Sequence, residues 1–231
     1  HSVLIDTNLV DVMTTYNRLS NIIHYVDWLS KSLAPSKSFE QLDKMTRYFK
    51  FLRPIKNRKN NNTNKFKSLT EEQVLRVLDI IRPSSLVNPW KDKATRYRNQ
   101  MIINLLLDVG CRKGELLTIK ATEIEGGSHE VKIRRSADDP NDERIEQPLV
   151  KTLSRDVVVS TDVFSLVENY IIKYRSKVKG AGKNPFLILS HQTGAKKAKA
   201  LSISGLNGMF EKLSESVGFN VGAHSLRHTW N

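Results

Sequence analysis

The stretch Met101-Ile102-Ile103-Asn104-Leu105-Leu106-Leu107-Asp108-Val109-Gly110-Cys111-Arg112-Lys113-Gly114-Glu115-Leu116-Leu117 decides the fold. Its first part is too apolar for a surface helix, so the spacing predicts a largely buried helix over about 92–108. Gly110 stands where a left-handed C-cap belongs. A second, short helix is expected to resume near Lys113. Arg112 therefore falls in a tight turn between two buried helices, with Glu115 three residues on. A guanidinium held there can bind two oxygens of one phosphate through its planar fork. The plain alternative is an Arg112–Glu115 pair that caps the second helix.

Working outward, Thr70-Glu71-Glu72-Gln73 reads as a capping box opening a helix that stops at Pro83. Further upstream, Asp6 or Thr7 can cap a helix running to about Leu33. Ser38 can cap another that carries Phe39, Leu42, Met45, Phe49 and Leu52 on one face. Two such helices bury little, so residues 1–53 are expected to be the end of a larger helical domain. Residues 54–67 are polar, basic and rich in Asn, which predicts a linker. Its Lys56, Arg58, Lys59, Lys65 and Lys67 can track a phosphate backbone, or simply solvate a tether. Downstream of Leu117 the pattern changes. Val131–Ile133, Gln147–Val150 and Arg155–Val159 read as short strands, the last two joined by a tight turn at Thr152-Leu153-Ser154. A polar loop covers 136–147. Helix returns over about 162–178, Phe186–Leu189 is a further strand candidate, and helices follow at about 202–217 and from His224. The expected class is mainly α with a small antiparallel β-sheet.

Two more places carry chemistry. In His224-Ser225-Leu226-Arg227-His228-Thr229, His224 and Arg227 share a helix face while Leu226 points to the core. A His and an Arg on one face can hold a phosphate and handle a proton; alone, the pattern also fits an ordinary basic helix. Lys151 sits at the tip of the predicted hairpin, where a lysine can enter a DNA groove and donate a proton, or be merely solvated.

In this order the three segments resemble the tyrosine recombinase, or phage integrase, family. Gly110–Leu116 is similar to its Gly-x-Arg-x-x-Glu-Leu segment, Lys151 to its hairpin lysine, and His224–His228 to its His-x-Leu-Arg-His motif. The resemblance covers about 68–231, and residues 1–53 look like the tail of the family's core-binding domain. It implies a catalytic domain incomplete at its C-terminus, with part of a helical DNA-binding domain before it. It also implies roles: Arg112 and Arg227 clamp the scissile phosphate, Lys151 is the general acid for the leaving 5′ hydroxyl, and His224 bonds the phosphate or helps move a proton. Glu115 and His228 would support these groups, and no metal or other cofactor is required. The family's nucleophilic Tyr lies after the His-x-x-Arg helix. The chain's six tyrosines (Tyr16, Tyr25, Tyr48, Tyr97, Tyr170, Tyr174) all precede that helix, so the nucleophile is expected outside this chain. The partner implied is double-stranded DNA with a specific recombination site, bound by a tetramer. The loop Arg135–Asp142 is also similar to one in integrases of mobile elements.

Charge agrees with a polyanionic partner. The net charge is +13, and its excess is local. Residues 54–67 hold five basic residues and no acid, and residues 173–231 hold ten against two, whereas residues 68–172 hold fifteen against seventeen. Arg155, Lys196, Lys197 and Lys199 join the linker cations as candidate DNA contacts. No apolar run reaches the length of a membrane span, and the single cysteine, Cys111, excludes an internal disulfide and fits a reducing cytoplasm. Two rivals are a non-catalytic DNA-binding protein that keeps the recombinase fold and a metal-dependent nuclease. The nuclease has only Asp138, Asp139 and Asp142 to offer, without the Gly and terminal Glu of a calcium loop.

Overall fold

A computed structural model describes residues 12–33, 39–54, 68–134, 139–148, 150, 152–192 and 198–230. The chain divides into two compact units, residues 1–62 and 63–231. In the first, helices α1 (Val12–Leu33) and α2 (Phe39–Leu52) pack on each other. They bury Ile23, Val26 and Thr46, while Arg53 lies over the Tyr16 ring at 4.7 Å. Many large apolar side chains of this pair stay exposed, Tyr25, Trp28, Tyr48 and Phe51 among them, so two helices cover little of their own apolar surface, as their length and composition imply. Of the expected linker only Pro54 is described, and Lys56, Arg58, Lys59, Lys65 and Lys67 lie outside the described residues.

The second unit is built around α4 (Lys93–Val109), against which α6 (Thr161–Tyr170) and α8 (Ala223–Trp230) pack. Met101, Ile102, Ile103, Leu105 and Leu106 of α4 are wholly buried, which is why this segment reads as apolar all round. Helix α3 (Glu71–Ile80) opens on the expected capping box: the Thr70 side chain accepts from the Gln73 N–H, and the Gln73 side chain accepts from the Thr70 N–H. Asp92 caps α4 through the Thr95 N–H, and Gly110 ends it at φ 60°, a left-handed conformation that costs glycine nothing. Helix α5 (Lys113–Thr118) follows at once, and α7 (Ile203–Val217) starts on Ser202.

The sheet has three antiparallel strands, β1 (Ile124–Glu125), β2 (Glu130–Ile133) and β3 (Arg155–Val158), in the order β1-β2-β3. Val131 and Ile133 turn inward and are buried, and β2 pairs with β3 so that Ile133 lies opposite Arg155. The expected strand over 147–150 does not form: Gln147, Pro148 and Val150 are irregular. Pro148 has no N–H to give a ladder, and the Gln147 amide donates instead to the carbonyls of Asp139 and Asp142. The partner of β3 is β2, and the turn expected to join two strands at 152–154 is a lead-in to β3. The helix expected to about 178 ends its α-helical part at Tyr170 and continues as a wider π turn over Ile171–Arg175. Phe186 and Leu189 make isolated bridges to Lys120 and Ala200 in place of a strand. No helix among the described residues is long and apolar enough to cross a membrane.

Candidate functional site

Gly110 brings the chain out of α4 and sends Cys111 into the core and Arg112 to the surface. Cys111 is fully buried, and burial, with Glu115 nearby, pushes its thiol up to about 12, so it stays a neutral packing group. Arg112 occupies the N-cap position of α5 with extended backbone (φ −77°, ψ 155°). Its own side chain has no acceptor with which to cap, and Glu115 supplies the contact instead, accepting from the Arg112 N–H at 2.9 Å. The Arg112–Glu115 capping pair expected as the plain alternative is therefore present. The carboxylate caps the helix, and the guanidinium stays half exposed, with one long contact of 3.4 Å to Glu115.

Glu115 is the buried centre of the arrangement, with its side chain 1% exposed. Besides Arg112 it accepts from the Thr152 hydroxyl and from both terminal nitrogens of Arg155, at 3.2 and 2.8 Å. Burial opposes its ionisation, but the hydrogen bonds from Arg155, Thr152 and the Arg112 backbone outweigh it and bring the carboxyl to about 2. Neither contact was evident from spacing, since Thr152 and Arg155 lie 37 and 40 residues from Glu115. The signal that places Arg155 is its position at the start of β3, opposite Ile133. As a candidate DNA contact, Arg155 retains an exposed portion, 35% of its side chain, but its fork is turned to Glu115.

Helix α8 brings the second arginine. Leu226 is fully buried, as its place in the motif predicts, and anchors the helix in the core. The Thr229 hydroxyl accepts from the Leu69 N–H at 2.9 Å, fixing the end of α8 to the start of this unit. Arg227 donates to the carbonyl of Gly110 at 2.6 Å. A cation thus meets an otherwise orphaned carbonyl at the negative end of α4. Arg112 and Arg227, 115 residues apart in sequence, line one cleft of about 420 Å³ together with Gly110, Thr152, Ser154 and Arg155. Both also line an adjoining cleft of about 1160 Å³, which His224 and His228 face from α8 and Leu206, Phe210, Glu211 and Glu215 from α7. The imidazoles of His224 and His228 meet edge to face, Nε2 to Nε2 at 2.9 Å, so one donates to the other. Partial burial, then the neighbouring His228, Arg227 and Arg112, hold His224 below its ordinary value.

Residues 67–231 match the phage integrase family. The chain belongs to that family. The integrase fold is also what the solved structures share with it. The chain superposes on the XerA recombinase with a TM-score of 0.51 at 17% identity, over 95% of its own length and 71% of that protein's. For the XerH site-specific recombinase bound to its palindromic difH substrate in a post-cleavage complex the values are 0.51, 18%, 92% and 60%. For the Tn1549 transposon integrase in complex with transposon right end DNA they are 0.54, 16%, 96% and 73%. This integrase-family chain thus spans less than two thirds of XerH, and at such identities the likeness is one of fold. No curated protein matches it in sequence.

Of the residues singled out from sequence, the fold brings Arg112, Arg227 and Arg155 to one cleft and His224 and His228 to the next, while Lys151, Lys196 and Lys197 lie outside the described residues. Lys199 is exposed. Of the aspartates that a nuclease would need, Asp138 lies outside the described residues, and Asp139 and Asp142 have other partners. Asp142 pairs with Arg144, both side chains nearly buried (2% and 6% exposed), and Asp139 with Lys120. Arg144 also donates to the carbonyls of Leu117 and Leu201, so this pair ties the 139–148 loop to α5 and to the segment before α7. Tyr97 and Tyr174 stack on each other, and the buried Tyr170 hydroxyl bonds the Leu189 N–H and His191.

Proposed function

We propose that the protein to which this chain belongs is a tyrosine-type site-specific recombinase that cleaves and rejoins double-stranded DNA through a 3′-phosphotyrosyl intermediate, with the nucleophile outside residues 1–231. The observation that carries the proposal is the convergence of Arg112 and Arg227, 115 residues apart in sequence, on one open cleft. The two guanidiniums take the non-bridging oxygens of the scissile phosphate. As the tyrosine oxygen gives up its phenolic proton, for which the His224 imidazole is the acceptor in this scheme, and bonds to phosphorus, negative charge grows on those oxygens, and fixed cations stabilise that state more than the starting diester. The bond to O5′ then breaks, and Lys151, the residue before Thr152 in the sequence, gives the leaving oxygen its proton. His224 shares the Arg112–Arg227 side of the neighbouring cleft and serves the proton transfer from tyrosine. The charge of the phosphate is met by arginine alone, so no metal has a part in this scheme. Rejoining is the reverse attack by a free 5′ hydroxyl, which conserves the bond energy without ATP.

The same reading makes residues 1–53 the end of a core-binding domain and 54–67 a basic linker along the backbone, gives the protein a duplex recombination site as its target, and has four protomers assemble on DNA. The test is a nicked suicide duplex offered to the full-length protein. A covalent protein–DNA adduct is expected, and Arg112→Ala or Arg227→Ala should lower its rate of formation by about 100- to 1000-fold, as loss of one transition-state donor does. Adduct formation at an unchanged rate in both variants overturns the clamp.

A further inference from the structure

Glu115 is saturated. A carboxylate offers about four lone-pair sites, and four hydrogen bonds fill them: the Arg112 N–H and one Arg155 nitrogen on Oε2, the other Arg155 nitrogen and the Thr152 hydroxyl on Oε1. The fifth contact, from the Arg112 guanidinium, is stretched to 3.4 Å, outside the range of a good N–H···O bond, and that side chain remains 52% exposed. Yet Arg112 is the nearer cation in sequence, three residues from Glu115 and on the same turn. With two acceptor sites open, its planar fork would close on the carboxylate in the bidentate geometry that Arg155 now occupies.

We infer that Arg155 is a positioning residue for strand cleavage: by occupying Glu115 bidentately, it limits the Arg112 guanidinium to one long 3.4 Å contact with that carboxylate in place of a closed bidentate pair, and so leaves it available to the phosphate in the cleft. Thr152 does the same from the other oxygen with a neutral donor. This inference rests on the clamp role proposed for Arg112. Arg155 therefore acts through Arg112, and its effect depends on the negative charge of Glu115 and not on any contact of its own with DNA.

That dependence gives a test with a sign. In the full-length protein, single-turnover adduct formation on the suicide duplex is measured for Arg112→Ala, Arg155→Ala, Glu115→Gln and the double variant Arg155→Ala/Glu115→Gln. Each is first confirmed as folded by circular dichroism at the assay temperature. Arg155→Ala should slow cleavage toward the level of Arg112→Ala, by about 100-fold, with duplex affinity within about threefold of wild type, since one phosphate contact is a small part of the whole footprint. Adding Glu115→Gln to Arg155→Ala should restore the rate at least tenfold, because a neutral amide no longer captures Arg112. A purely structural role predicts the opposite, a double variant as slow as or slower than Arg155→Ala. That result, or an Arg155→Ala protein that cleaves at the wild-type rate while Arg112→Ala does not, overturns the inference and leaves the clamp standing. Unchanged cleavage by Arg112→Ala instead overturns the clamp itself. If Arg155→Ala does not fold, Arg155→Lys carries the same comparison: it keeps the charge but gives up one of the two bonds, and a loss of about tenfold that Glu115→Gln relieves is the expected result.

Discussion

Replacing Glu115 by Gln removes a charge that the fold has taken almost wholly out of water, and the structure sets the size of the consequence. The carboxyl stands at about 2 in the folded protein against an ordinary value near 4.5. A shift of that size stabilises the folded, ionised form by about 3 kcal/mol. Because the folded value is the lower one, this contribution is fully present above pH 4.5, shrinks as pH falls, and is gone near pH 2. Glu115→Gln should therefore unfold about 3 kcal/mol more easily at pH 7. Arg155 left behind is 35% exposed and can turn to water, which keeps the penalty at the lower end of the roughly 3–5 kcal/mol cost of breaking a buried pair. The assay is urea unfolding at a series of pH values, followed by tryptophan fluorescence, to which Trp90, buried in the second unit, contributes, with far-UV circular dichroism as the second probe. Acid groups elsewhere titrate equally in both proteins and cancel in the difference. The gap between wild type and variant should be constant from pH 7 to about 5 and close between 4.5 and 2, with an unchanged denaturant slope. A gap that persists at pH 2, or no gap at pH 7, refutes the view that hydrogen bonds from Arg155, Thr152 and Arg112 hold this carboxylate.

Gly110→Ala forces a Cβ into a left-handed residue at φ 60° and should cost about 1–2 kcal/mol by thermal or urea unfolding; full stability would contradict the observed cap. Asp142→Ala leaves the Arg144 guanidinium buried without its carboxylate and should cost about 3–5 kcal/mol, whereas a loss below about 1 kcal/mol would mean the pair behaves as a surface salt bridge. His224 should titrate below its ordinary value in a proton NMR titration, because partial burial and then His228, Arg227 and Arg112 disfavour its charged form. Its charge is therefore gained only as pH falls past that value, and a midpoint above 6.5 would contradict the geometry.

Much of the fold was legible because its helices announce their ends chemically. Thr70 with Gln73, Gly110 after a buried run, and Leu226 between His224 and Arg227 each did in the structure what their neighbours in sequence implied. The sheet was less legible. A tight turn at 152–154 suggested that 147–150 and 155–159 pair as strands, but a strand-like segment states only that it could pair, not what it pairs with. Here β2 takes β3, and Gln147 is diverted to two loop carbonyls. β1, two residues long, is too short to carry any period.

The same difference separates the two halves of the site. Arg112 and Arg227 could be picked out from sequence because each lies inside a short motif fixed by one helix end. The partners that set their behaviour could not, because Arg155 reaches Glu115 only through the β2–β3 register, and Arg227 reaches Gly110 only through the packing of α8 on α4. Charge counting misses this as well. Residues 68–172 are nearly neutral and look uninformative beside the basic segments on either side. Yet Glu115, Asp142 and Asp139 in that span each meet a cation from the same span, Arg155, Arg144 and Lys120. Arg112 is the arginine there that meets a carboxylate already filled by others, which is why a locally balanced stretch can still leave a guanidinium half exposed in a cleft. Net charge counts the cations, and the internal pairing decides which of them faces the cleft.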